Sequence, residues 1–269
     1  MLLVALTATS ASASVQMQFL NVSPGVGGFK MYNYKESTAS VALLHNNVSA
    51  GAMNWQTGGD DATLPVLPLD GSNKLVTFCI EIGQYVTSAA KMYDKTALTS
   101  APDPYVTGYG NSLTKISSER AGLLGNLADK YWNSALDTGV ENAAFQLAVW
   151  EIVHESAAMA LSSIGGIGGL NVGAGSFYVV GDRTVETDAI TLANSWLAGL
   201  QNVDLDPTKS LYALTNKCYQ DQIFYGSTPT PDPEGDPGTV PEPATVISWL
   251  GLMTTVGLIA RRRRAAEAA

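Results

Sequence analysis

The sequence predicts an α+β protein. It is expected to be a single strand-rich domain built on a β-sandwich or barrel-like sheet with about three packed helices, followed by a Pro-rich linker and one C-terminal transmembrane helix. Three observations point there. The first hundred residues break into short apolar stretches separated by Gly, Ser, Pro and Asn, the pattern of strands and turns. Between residues 117 and 201 apolar residues recur at three- and four-residue spacing, the helical period. An uncharged apolar run from Ala244 to Ala260 ends in four consecutive arginines.

The chain opens MLLVALTATSASASV. A short apolar run precedes Ala11-Ser12-Ala13, an A-x-A cleavage pattern, and a basic start is missing. Residues 1–13 therefore read as a truncated signal peptide. The expected ectodomain covers 14–226. Its candidate strands are 15–22, 28–34, 40–47, 74–82, 177–180 and 219–225. A helix over 117–135 places Leu123, Leu124, Leu127 and Tyr131 on one face, with Ser117 or Ser118 as its N-cap. A second starts at the capping box Thr138-x-x-Glu141 and runs to about Glu155. A third, near 185–201, aligns Ala189, Leu192, Ala193, Trp196 and Leu200. The Gly-rich stretch 165–175 lacks the Lys-Ser/Thr ending of a phosphate loop and reads as structural.

Residues 227–241 form the Pro-rich linker and 242–269 a terminal segment. The span 244–260 meets the lower length limit for crossing a bilayer, about 17 residues. The basic tail 261–264 (Arg261, Arg262, Arg263, Arg264) places the C-terminus in the cytoplasm and the domain outside. The motif Val240-Pro241-Glu242-Pro243, the span and the arginines together resemble the PEP-CTERM sorting signal of Gram-negative bacteria that make exopolysaccharide. That resemblance implies recognition by an exosortase-type membrane protease. It also implies an inner-membrane intermediate that is later released to the cell surface or extracellular matrix.

Composition excludes one class of partner. The 269 residues carry a formal charge of −9. Without residues 244–269 there remain 11 basic against 23 acidic residues, a net −12. So acidic a body does not bind nucleic acid, which needs clustered Lys and Arg.

The chemistry centres on AFQLAVWEI, 144–152, where Gln146 interrupts an apolar helix. A buried amide without hydrogen-bond partners is costly. Gln146 shares a stripe with Trp150 and Val153, while Glu151 and Glu155 mark a more polar side. In LVTFCIEI, alternation puts Val76, Phe78, Ile80 and Ile82 on one face and Leu75, Thr77, Cys79 and Glu81 on the other. If a helix covers the second face, Cys79 meets Gln146. A thiolate can attack a carboxamide, expel ammonia and leave an internal thioester. The segments Phe78-Cys79-Ile80-Glu81 and Phe145-Gln146-Leu147-Ala148-Val149-Trp150 resemble the two motifs of bacterial surface thioester domains. The likeness covers about 70–160. It implies Cys79 and Gln146 as bond partners, Trp150 packed beside the bond, Phe78 and Glu81 in support, and covalent attachment to surface amines or hydroxyls. Two departures stand: the tail is of Gram-negative type, and Cys218 has no place in the motif.

Two other readings remain open. One is a Cys79–Cys218 disulfide, worth roughly 4–5 kcal/mol in the chain-entropy model. The other is two unlinked thiols, with Gln146 an ordinary amide bonded to backbone. Either fits a non-covalent structural or binding module of the exopolysaccharide or biofilm matrix. Hydrolysis of exopolysaccharide ranks last, because no carboxylate pair stands out. The expectation is a protein that is not an enzyme and needs no cofactor or metal. His45 and His154 form no H-E-x-x-H pattern, and His154 reads as a helix-surface residue.

Overall fold

The computed structural model describes residues 14–35, 40–58, 74–104, 114–156, 169–200 and 211–226. Within them lie β1 (Ser14–Lys35), β2 (Ser40–Gly58), β3 (Lys74–Cys79), β4 (Lys91–Ala97), α1 (Ser118–Tyr131), α2 (Gly139–His154), β5 (Phe177–Val180), α3 (Thr184–Ala198), β6 (Leu211–Thr215) and β7 (Gln222–Tyr225). This is an α+β arrangement, strand-rich with three helices. The expected leader (1–13), linker (227–241), span (244–260) and basic tail lie outside the described residues. Among the described residues no helix is long and apolar enough to cross a membrane.

β1 organises the sheet. It pairs with β4 through Ser14–Met17, with β2 along most of its length, and with β5 through Lys30–Asn33. The other ladders link β2 to β3, β3 to β7, β7 to β6 and β6 to β4. All are antiparallel, and together they close a six-stranded ring, with β5 added outside it on β1. Closure leaves the ring itself without the exposed edges that invite aggregation. The far halves of β1 and β2 continue past the ring as a long hairpin.

The sequence suggested three short strands before residue 50. The structure has two long ones, because β1 absorbs its glycines as register shifts between Phe19 and Tyr32 instead of stopping at them. The crossing of Gly25 with Gly51 shows why glycine is needed there. A Cβ on Gly25 would lie 2.8 Å from the Ala50 carbonyl oxygen, and one on Gly51 would lie 2.7 Å from the Gly25 Cα. β4 and β6 were not expected from their sequences. β7 is shorter than its expected span, and β3 stops at Cys79 instead of Ile82.

The helices start where their caps predict. Ser117 Oγ accepts from the Arg120 amide at 3.3 Å. Thr138 Oγ1 accepts from the Glu141 amide at 3.2 Å and donates to Glu141 Oε2 at 2.7 Å. α2 is the central helix, and every residue from Asn142 to His154 is buried. A helix buried all round belongs to the core, not to a surface layer. Glu151, His154 and Glu155, expected on a polar or exposed side, are therefore inside.

An aromatic cluster ties the helices to the sheet. The Phe78 ring lies 4.5 Å from Phe145 and 5.3 Å from Trp132, and Trp132 lies 5.5 Å from Phe145. Tyr131 of α1 stacks on Trp196 of α3 at 4.9 Å. So Phe78 turns its side chain to the helix layer. By alternation Leu75 and Thr77 face the barrel interior with Trp55, and Cys79 ends the strand with its sulfur near the Trp150 indole of α2. Phe145→Ala should lower unfolding free energy by about 3–5 kcal/mol. Urea unfolding followed by tryptophan fluorescence measures this, and a loss under 1 kcal/mol would show that Phe145 does not anchor the layers.

Candidate functional site

β2 and β3 stay paired only as far as Met53 and Thr77. Continuing that register would set Cys79 opposite Gly51, but Gly51 pairs with Gly25. The two strands splay, and backbone groups that a ladder would satisfy are left facing α2. Buried backbone groups need partners. Two carboxamides one helical turn apart supply them. Asn142 Oδ1 accepts from the Ala52 amide at 3.2 Å. Gln146 Oε1 accepts from the Cys79 amide at 2.8 Å, and its Nε2 donates to the Cys79 carbonyl at 2.7 Å. Gln146 thus replaces a missing β-partner. Only this orientation of the amide puts a donor against each acceptor.

The helix presents a polar group at every fourth position toward this gap: Asn142, Gln146, Trp150 and His154. His154 Nε2 lies 3.0 Å from the Ile80 carbonyl oxygen. A carbonyl only accepts, so Nε2 carries the proton. Among the described residues the Trp150 indole N–H has no hydrogen-bond partner. It lies within electrostatic reach of the Cys79 sulfur, though not at hydrogen-bonding geometry. The Cys79 thiol donates to the Glu81 carbonyl, which also accepts from Gln220 Nε2 at 2.6 Å.

The barrel interior around Cys79 is polar as well. Trp55 Nε1 donates to Thr77 Oγ1 at 2.7 Å, and Thr77 donates to Gln222 Oε1 at 3.0 Å. Gln222 is the ladder partner of Cys79. Asp221 accepts from the Asn216 amide at 2.7 Å, and its carbonyl accepts from the Ile80 amide at 3.1 Å. Glu81 and Asp221 are both buried. Burial pushes the Cys79 thiol well above its ordinary value; the Trp150 indole works against that shift, and the Glu81 and Asp221 carboxylates add to it. The thiol is protonated at neutral pH.

Behind α2, Glu151 Oε1 accepts from the Asn171 amide at 2.8 Å. Glu155 Oε2 accepts from the Ser176 and Phe177 amides at 2.8 and 3.2 Å. Arg120 pairs with both oxygens of Asp103 at 3.1 Å and donates to the Glu155 carbonyl at 2.5 Å. These side chains stitch the loop after α2 onto the helix end.

Of the residues singled out in sequence, Cys79, Gln146, Trp150 and Glu81 converge, and Phe78 lies in the aromatic cluster. Cys218 does not join them. It is exposed in the turn between β6 and β7, and both cysteines are free thiols. Val240, Pro241, Glu242, Pro243 and Arg261–Arg264 lie outside the described residues. Among the described residues no group of His, Cys, Asp or Glu is arranged to hold a metal ion. Asn142, His154, Gln220 and Asp221 were not anticipated. The four-residue spacing of polar groups on an otherwise apolar helix was the available signal for the first two. No family model, curated protein or solved structure matches the chain.

The buried groups set a pH dependence. Burial raises Glu151 to about 8, against the Asn171 amide, and raises Asp221 to about 8, with the Glu81 charge adding to the shift. Both raised acids hold protons in the fold that the unfolded chain has released, so their stabilisation is present at low pH and is lost as pH rises toward 8. Burial lowers His154 to about 3. The unfolded histidine protonates first, so His154 costs stability below its ordinary value near 6.5 and is silent above it. Between pH 6.5 and 8.5 the two acids dominate, and the raised Cys79 thiol adds in the same direction at the upper end. The melting temperature should fall over that range by several degrees, at about 2–4 °C per kcal/mol for a domain this size. Glu151→Gln keeps the bond to Asn171 and should flatten the slope. An unchanged slope in calorimetry would show that Glu151 is not the titrating group.

Proposed function

We propose that this is an exported, surface-sorted bacterial protein in which Cys79 and Gln146 form an internal thioester for covalent attachment to amine or hydroxyl groups. One observation carries the reading: the Gln146 carboxamide is held at both ends by the backbone of Cys79, a residue whose own thiol is free and buried. The Cys79 N–H already bonds the carbonyl oxygen that would gain negative charge when sulfur attacks the amide carbon, and such donors lower that barrier. The S–C bond forms and the C–N bond breaks. The thiol proton leaves with the nitrogen as ammonia, and no oxidant or reductant is needed.

The raised thiol keeps thiolate scarce, so the step is slow. It need happen only once per chain. Both residues are fully buried, which keeps water from the product. A nucleophilic amine reaching the site would take the Gln146 acyl group into an amide and return the thiol to Cys79. The sorting-signal resemblance at 240–264 supports an exosortase-type protease as processing partner, passage through the membrane, and delivery to the surface or exopolysaccharide matrix.

A second reading is favoured by the same two hydrogen bonds, since they satisfy an unreacted glutamine completely. In it the domain is a non-covalent structural or binding module of the matrix, with free thiols. Intact mass of the purified, non-reduced protein separates the two. Loss of one ammonia, absent in C79A and replaced by a methylamine adduct on Gln146 after treatment, is the expected result. A mass with every hydrogen and nitrogen in place, and no glutamate at 146, sinks the thioester and leaves the matrix module. Loss of two hydrogens restored by reductant would instead report a Cys79–Cys218 disulfide.

A further inference from the structure

The segment after β3 is held by side chains in place of a ladder. Four consecutive carbonyls each meet a different side chain: Cys79 meets Gln146 at 2.7 Å, Ile80 meets His154 at 3.0 Å, Glu81 meets Gln220 at 2.6 Å and Ile82 meets His45 at 2.7 Å. Both histidines of the chain are used here. His154 differs from Gln220 and His45 because it shares α2 with Gln146. One stiff helix therefore grips two adjacent carbonyls, from positions eight residues apart.

That arrangement fixes the register of α2 against the end of β3. A helix rises about 1.5 Å per residue, so a slip of one residue would break both bonds. Bond formation is sensitive to such a shift, because reacting atoms must stand about 3–3.5 Å apart and a displacement of 1 Å can cost about 100-fold in rate. The imidazole is well placed to hold this register. It is almost fully buried and its ring centre lies 5.6 Å from that of Phe177. Burial keeps it neutral, so its donor is fixed on one nitrogen.

We propose that His154 is a positioning residue for the Cys79–Gln146 bond, holding the Gln146 carboxamide in register with Cys79 through the Ile80 carbonyl. The proposal rests on the thioester reading. It is tested on the full chain by following ammonia loss by intact mass after pulsed cell-free synthesis, well below each variant's melting temperature. His154→Phe should slow the loss by up to about 100-fold. His154→Gln, which keeps a donor of similar reach, should restore most of the rate, whereas the shorter His154→Asn should not. Ile152→Val, which loosens the same helix without touching the carbonyls, should react as wild type.

Wild-type rates in both His154→Phe and His154→Asn would overturn the role, as would equal slowing in Ile152→Val. Should His154→Phe lose its near-UV signal, the Gln and Asn variants decide, and equal rates in those two overturn the proposal. A wild-type chain that never loses ammonia removes the thioester reading and the positioning role together. Loss in wild type with no response at His154 removes the role alone.

Discussion

The divergence of β2 from β3 after Met53 and Thr77 is the constraint on which the site depends. Closing the six-stranded ring requires its two long strands, β1 and β2, to bend away and pair with each other beyond it. The bend strips Ala52 and Cys79 of the partners that β2 and β3 would otherwise give each other, in the interior, where an unpaired backbone group costs about 1–3 kcal/mol. Asn142 and Gln146 meet that need from α2, one turn apart. The glutamine is inside the core because the barrel opens a gap there, and the cysteine beside it is the residue at which the gap begins.

The same logic explains why so apolar a helix carries so many polar groups. Each of Asn142, Gln146, Glu151, His154 and Glu155 satisfies a backbone amide or carbonyl that lacks a regular partner. α2 works as a central post with strand ends and loop ends attached to it. Such a post tolerates little charge. Glu151 is pushed toward neutrality and His154 is held neutral, both by burial. The core therefore prefers the neutral form of every one of these shifted groups, and that preference ties stability to pH from both sides.

Much of this was legible in sequence, and the failures share a cause. Helix starts were readable because a cap is a local event: Ser117 and Thr138 act within three residues of themselves. That Gln146 meets Cys79 was expected through a facing thiol, whereas the contact in the fold is with the Cys79 backbone, which no side-chain pattern reports. Strand ends were not readable, because they depend on distant partners. β1 runs through its glycines since β2 accompanies it, and β3 stops at Cys79 since β2 leaves. Lys91–Ala97 alternates weakly and is a strand through its neighbours β1 and β6. Glu151 and His154 were misassigned for a related reason. A charged or titratable residue on a helix reads as surface unless the loop it serves is known, and Asn171, Ser176 and Ile80 are visible only in the fold.

Energetics decide whether a reacted site would fit the same frame. Expelling ammonia removes the donor that Gln146 gives to the Cys79 carbonyl, leaving a buried acceptor at a cost of about 1–3 kcal/mol. The new bond joins residues 67 apart. Treated like any crosslink in the chain-entropy model, closing a loop of that length stabilises the fold by about 4 kcal/mol. The covalent closure outweighs the lost hydrogen bond, so reaction would not unsettle the domain. Ile80 would keep its bond to His154, and Cys79 would keep its N–H on the former Gln146 oxygen. The clamp that positions the unreacted amide is thus also able to hold the product, which a site relying on the Gln146 nitrogen alone could not do.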